Sequence, residues 1–176
     1  IMSIYNPTLN KIARTTARPF SKMIPNKFKF PVKGDYLIKL NESTKIRFAC
    51  NETSYCGKIL FWEGVEGYEY AVTSVFMDVL KNVTTFFDIG ANIGYYSLIA
   101  KAINPSVQVV AFEPMPGPQN YFNKNKSLNG FNDIVLESLA LSDKGGEMEF
   151  TSVINPKFEN VKDQLAGDGS LFAKQD

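Results

Sequence analysis

The segment that most constrains this chain is the run Thr84–Ile89 followed by Gly90-Ala91-Asn92-Ile93-Gly94. It is short and almost wholly apolar, it stops at a glycine turn, and helical spacing resumes after it. That pattern fits a strand buried on both faces of a parallel sheet. Tyr95–Ile103 supplies the helix and stops at Asn104-Pro105, where the chain cannot continue a helix. Val107–Phe112 is a second continuous apolar strand, Pro116–Leu128 a second helix with proline at its start and Asn129-Gly130 at its end, and Ile134–Leu141 a third strand. Strand, helix, strand, helix, strand predicts an α/β sheet with right-handed crossovers. Three parallel strands make half of a doubly wound sheet. The natural chain is therefore expected to continue past Asp176 or to complete its sheet with another chain.

Upstream, Tyr36–Leu40 and Lys45–Ala49 read as strands around an Asn41-Glu42-Ser43 turn, and Lys58–Trp62 as a third. Residues 35–65 are thus expected to form a small antiparallel β meander. Trp62, Phe61, Phe28 and Phe30 are read as packing within it. Glu69–Leu80 is expected to be helical. Ala71, Val75 and Val79, with Val72, Phe76 and Leu80, repeat at i+4 and give one apolar face. Glu147–Val153 alternates as an edge strand does, and beyond it the pattern fades. The expected organisation is a basic arm over 1–34, the meander over 35–65, and an α/β domain from 66 onward.

At 176 residues, 44% of them hydrophobic, the chain has the material for one domain with a real core. No apolar run approaches the roughly 18 residues that span a bilayer. No basic start, apolar middle and small-residue cleavage site marks a secretory signal, so the expected compartment is cytoplasmic. Histidine is absent, and Cys50 and Cys56 are the only cysteines. A Cys/His zinc site and any triad that needs histidine are excluded, and the two thiols are read as unpaired. Residues 1–34 carry Lys11, Arg14, Arg18, Lys22, Lys27, Lys29 and Lys33 and no acidic residue. Such an arm suits a membrane surface, a nucleic acid or an acidic glycan, or a transit-like leader. The plainer expectation is a solvated tail packed loosely on the domain.

The chemistry is expected at the glycine loop. Gly90 permits a sharp turn and the close approach of a ligand, and Gly94 permits tight packing of helix on strand. The helix start offers unpaired N–H groups and a positive dipole end. Glu113 ends the next strand 23 residues after Gly90, where a carboxylate can accept both hydroxyl protons of a ribose. A dinucleotide fold prefers G-x-G-x-x-G to seat a pyrophosphate. Here Asp88 precedes Gly90-x-Asn92-x-Gly94. A carboxylate there repels a pyrophosphate and attracts the ammonium and sulfonium of S-adenosyl-L-methionine. The bland alternatives are a helix-capping Asp88 and an ordinary strand–helix turn.

Asp88-Ile89-Gly90-Ala91-Asn92-Ile93-Gly94-Tyr95-Tyr96-Ser97 resembles the first motif of the FkbM-type S-adenosylmethionine-dependent methyltransferases, and Ala111-Phe112-Glu113-Pro114 resembles their second. Asn125, Leu128-Asn129-Gly130 and Leu139-Ala140-Leu141-Ser142-Asp143 fit their next segments, and Gly169-Ser170-Leu171 matches a later short element. The resemblance covers roughly residues 65–172. It implies a Rossmann-like class I methyltransferase sheet and O-methylation of a hydroxyl, often on a sugar or glycan. By that match Gly90, Ala91, Asn92 and Gly94 would line the methionine part of the cofactor. Glu113 would hold the ribose, and Pro114 and Met115 would flank the adenine. Near Ala140, many class I enzymes place an acidic residue for the adenine amine. Leu139 precedes Ala140 here, which leaves backbone, Ser138 or Ser142 for that contact. Tyr68 and Glu69 match a tyrosine–glutamate pair that puts Glu69 near the cofactor. One of Tyr95 and Tyr96 is expected to face it while the other packs.

Two further readings stand beside this one. Asn155-Pro156-Lys157-Phe158, with the basic arm, is the basis for a nucleic-acid N-methyltransferase, although Asn-Pro is also a common turn. A cofactor-binding scaffold without turnover is the other. A dinucleotide oxidoreductase ranks last, against the charge of Asp88. The partner expected is a small-molecule or glycan hydroxyl acceptor rather than nucleic acid. No catalytic base is nominated, and no carboxylate cluster argues for a metal.

Overall fold

The computed structural model of the chain describes residues 16–147, 150–151, 154–165 and 170–171, together with Thr8 and Ile12. Strands β1 (Gly34–Lys39) and β2 (Lys45–Cys50) pair antiparallel, with Gly34 opposite Cys50 and Lys39 opposite Lys45. Tyr36, Ile38, Ile46 and Phe48 point into the core, while Leu37, Lys39 and Arg47 point out, the period-two alternation of a strand with one wet face. The hairpin closes on Asn41, whose Oδ1 accepts from the Ser43 and Thr44 amides, an Asx turn.

The expected third strand is instead a helix. Lys58–Trp62 lies inside α1 (Tyr55–Glu63), and residues 35–65 form a hairpin followed by this helix rather than a meander. A short apolar run fits a strand or a buried helix equally well, and its flanks decide the matter. Ser54 caps the helix by accepting from the Gly57 amide at 3.0 Å, and Gly64 ends it at φ +68°. Leu60, Phe61 and Trp62 are buried. Phe30 stands edge-on to Trp62 at 5.0 Å, so this pair packs as expected. Phe28 does not; it is 63% exposed.

Helix α2 (Tyr70–Val79) forms where the spacing predicts it, and its apolar stripe is buried in part. Phe76 packs against Phe86 and Tyr96 and Leu80, just past the helix, is buried, as is Thr73, whereas Ala71, Val72, Val75 and Val79 are exposed. Beyond it lie β3 (Thr85–Ile89), α3 (Tyr95–Ile103), β4 (Gln108–Phe112), α4 (Pro116–Leu128) and β5 (Val135–Glu137). The three strands are parallel in the order β3-β4-β5, the Rossmann-like α/β arrangement expected. The third strand is shorter than Ile134–Leu141. Of the expected edge strand Glu147–Val153, residues 148–149 and 152–153 lie outside the described set. Phe150–Thr151 (β6) pairs antiparallel with Ser170–Leu171 (β7), a late strand that the faded pattern did not announce. Among the described residues no helix is long and apolar enough to cross a membrane.

Two polar clamps fasten these pieces. Asn125 and Asn129, one turn apart on α4, treat the free edge of β2 as a partner strand. Asn125 Oδ1 accepts from Ala49 N at 2.6 Å and its Nδ2 donates to Ala49 O. Asn129 does the same with Arg47 N and O. At the far end of the sheet, buried Lys101 donates to Pro105 O, Val107 O and Asp133 Oδ2. The neighbouring Lys101 ammonium holds the Asp133 carboxyl below its ordinary range.

Among the described residues, one face of the sheet is covered and the other is open. Phe86 pairs with Val109, and Asp88 with Ala111 and Leu136, on the face that carries the helices; these side chains are buried or half-buried. On the other face Phe87, Val110 and Val135 form a row, and Phe87, Ile89 and Val135 are exposed. The double variant Phe87→Thr/Ile89→Thr should keep the far-ultraviolet dichroism and the urea midpoint within about 0.5 kcal/mol per site, since threonine suits a strand. It should also lower the binding of an apolar dye. Unchanged dye fluorescence would show that this face is not open.

Candidate functional site

At the carboxyl end of β3 the chain turns through residues 90–94 into α3. Gly90 N and Ala91 N both donate to Phe112 O at 3.0 Å, tying the turn to the end of β4. Gly90 sits at φ +76° and Gly94 at φ +89°, backbone that glycine adopts without penalty. Gly94 has a second reason: a Cβ there would stand 2.8 Å from the Phe122 ring. The two described non-glycine residues at positive φ, Glu69 (+46°) and Asn92 (+49°), both line the cavity that opens here.

This cavity has a volume of about 310 Å³, at the small end of the range for small-molecule sites. Glu69, Asp88, Gly90, Ala91 and Asn92 line it, as do Cys56, Tyr68, Ile89, Ile93, Tyr95 and Tyr96. Of the residues singled out in the sequence, five therefore meet around one space. Gly94, Glu113, Pro114, Met115 and Ala140 do not line it. Gly94 backs the loop against Phe122. Glu113 reaches the loop through Asn92, and Met115 reaches Glu113. Ala140 is three residues past β5. Ser138 donates to Gln119 Oε1.

The carboxylates hold the architecture. Asp88 Oδ2 accepts from both Ser97 N and Ser97 Oγ, at 3.0 and 2.6 Å, so it caps the first turn of α3 from the preceding strand, the bland alternative the sequence left open. Glu113 Oε2 accepts from Asn92 N at 2.8 Å and Oε1 from Met115 N at 2.9 Å. Burial raises the Asp88 carboxyl above its ordinary range, and the Ser97 bonds oppose that rise. Burial also raises Glu113, against its two backbone bonds, and the Asp88 charge adds to the rise.

One wall is aromatic. Tyr68 stands edge-on to Tyr95 at 5.6 Å, and Tyr95 lies 5.1 Å from Tyr96. Tyr96 donates its hydroxyl to Glu69 Oε2 at 2.5 Å. Burial pushes the Tyr95 phenol up to about 12, and Tyr96 is raised by burial and by its bond to Glu69, so both stay neutral. Both tyrosines line the cavity, and Tyr95 also packs in the core against Phe48. Cys56 went unnoticed in the sequence, since it belongs to the helix that reads as a strand. Cys50 and Cys56 form no disulfide with each other, and burial lifts the Cys56 thiol far above its ordinary value.

Two features indicate what the cavity accepts. Asn92 Oδ1 is buried and accepts no hydrogen bond among the described residues. Among those residues no lysine or arginine lines the cavity, and its charges are two carboxyl groups. Asn155, by contrast, is consumed locally: its Oδ1 accepts from Lys157 N and opens a short 3-10 turn over Pro156–Phe158, as the common Asn-Pro turn does.

No protein-family model matches this chain, and no curated protein sequence does. Among solved structures, that of a SAM-dependent methyltransferase from Agrobacterium tumefaciens is similar over 63% of this chain and 34% of its own, at 10% identity and a TM-score of 0.43. This chain spans about a third of that protein's length, and a likeness of that strength sets no constraint on its chemistry.

The raised Asp88 carboxyl has a pH signature. Its folded value lies above the unfolded one of about 3.9, so the folded state holds this proton more tightly. The associated stability is full below the unfolded value and is lost as pH rises through the folded value. Asp88→Asn keeps an acceptor for Ser97 and cannot ionise. Urea midpoints should show the variant gaining on the natural chain as pH rises from roughly 4 toward neutrality. A difference that stays flat or shrinks would mean Asp88 is not desolvated.

Proposed function

We propose that the cavity at residues 88–96 binds the methionine end of S-adenosyl-L-methionine and that the chain belongs to a methyltransferase acting on a hydroxyl, on a sugar or glycan. One observation carries the first half: a cavity lined, among the described residues, by two carboxyl groups, three tyrosine rings and no cationic side chain. That lining suits a cation, through charge and through the faces of the rings, and it disfavours a pyrophosphate. The acceptor class rests on the motif resemblance to the FkbM-type enzymes.

The residues present fit the group. Asn92 Oδ1 and Glu69 would accept from the ammonium, and Asp88 would supply negative potential beside the sulfonium. Gly90, where a Cβ would meet nothing within 4 Å, leaves the loop backbone open to the ligand. Both oxygens of Glu113 hold backbone amides, yet a carboxylate has about four acceptor sites, so it retains capacity for ribose hydroxyls. Pro114 and Met115 would flank the adenine on that side, with Ala140 beyond. When bound, the donor supplies a methyl group on a sulfonium and departs as a neutral thioether. The chain's part is to orient that methyl toward an acceptor oxygen and to keep water away.

Titration calorimetry with S-adenosylhomocysteine tests the cofactor site. Binding should weaken by about 10- to 100-fold in Asn92→Ala and in Glu113→Gln, the range for a lost hydrogen bond to a charged group, while NADH should not bind. Indifference to both substitutions, or a preference for NADH, removes the reading. Transfer of labelled methyl to sugars confirms the acceptor class, transfer to DNA or RNA replaces it, and binding without any transfer leaves a scaffold.

A further inference from the structure

Residues 18–33 are fastened to the domain rather than trailing as a loose tail. Arg18 donates to Leu37 O at 3.0 Å and lies over the Phe61 ring. Trp62 Nε1 donates to Phe30 O at 3.0 Å. Lys29, buried, meets Glu63 at 2.9 Å, and Lys33 meets Glu52 at 3.3 Å. The segment is therefore held in a defined orientation, and one side of it is apolar and bare. Arg18–Met23 is a 3-10 helix, in which side chains three apart eclipse one another. Arg18 and Ser21 form its inward row, half-buried and buried. Phe20 and Met23 form another row, 59% and 80% exposed. After Pro25 a second 3-10 turn, Asn26–Phe28, presents Phe28 at 63% exposure with Lys27 Nζ 5.1 Å from its ring centre.

We propose that this face docks on the surface of a lipid bilayer rich in anionic headgroups, with Phe20, Met23 and Phe28 entering the acyl boundary and Lys22 and Lys27 reaching the headgroups. Charge decides the occupant. Residues 1–34 contain no acidic side chain, and Lys22 is nearly fully exposed, tethered only at 3.6 Å to exposed Glu66. Bulky apolar tips interleaved with lysines on a rigid projecting segment match the chemistry of an interfacial anchor. A protein partner would need a matching cavity for three protruding side chains. A nucleic acid would call on the cations, yet Arg18 and Lys29 are half-buried and buried and Lys33 is paired with Glu52, and it gains nothing from a protruding methionine.

Co-sedimentation of the full chain with vesicles is the test. Vesicles of phosphatidylcholine mixed with phosphatidylserine should capture the chain, phosphatidylcholine alone should capture far less, and high salt should release it. Phe20→Ser, Met23→Ser and Phe28→Ser should each weaken capture by about tenfold, and Lys22→Glu and Lys27→Glu by at least about fivefold each. Dichroism and urea midpoints should stay those of the natural chain. The double variant Phe87→Thr/Ile89→Thr should bind the vesicles normally; loss of capture there would assign binding to the open sheet face and overturn the proposal. No capture, equal capture by neutral vesicles, indifference to the five substitutions, or release by competing RNA at constant salt would each overturn it too.

Discussion

Most of the architecture hangs on two asparagines. Residues i and i+4 of a helix are about 6 Å apart along its axis, close to the roughly 6.8 Å between alternate residues of a strand. Asn125 and Asn129 use that near-match to pair, amide for peptide, with Ala49 and Arg47 on the open edge of β2. Asn125 has no exposed surface, and its second amide proton goes to Ile93 O. One side chain thus joins the hairpin, helix α4 and the glycine loop. Leaving such a group unpaired costs about 1–3 kcal/mol. Aspartate, though isosteric, would replace two donors with an acceptor facing two carbonyl oxygens.

The loop is held in the same economical manner. Asp88 reaches up from β3 to cap α3, and Glu113 reaches back from β4 to the amides of Asn92 and Met115. Both acids are buried and both are shifted toward the neutral form. An arriving cation would reverse that shift by favouring their charged forms. The residues that shape the turn are in this way also the residues whose charge a ligand would alter.

Sequence pattern reads the strand–turn–helix units well because their information is local. A glycine turn between an apolar run and a helical period, followed by a second apolar strand ending in Glu113, places β3, α3 and β4 to within a residue or two. It reads poorly what depends on distant partners. Lys58–Trp62 has no period of its own that separates helix from strand, and Ser54 and Gly64 settle it. The valines of α2 promise a packed stripe, but the surface they would meet is absent among the described residues. Phe28 and Phe30 are near neighbours in sequence, and only Phe30 finds an aromatic partner, Trp62. In the site, the loop residues announce themselves by spacing. Cys56 does not, because only the tertiary fold brings α1 to the cavity beside the loop.

The left-handed backbone at Glu69 and Asn92 has an evolutionary side. Glycine at either position would relieve strain of the order of 1 kcal/mol or more. Stabilising substitutions are therefore within one mutation at both sites, and each would delete a polar group from the cavity wall. As it stands, each residue gives up that stability and keeps a polar group on the cavity wall.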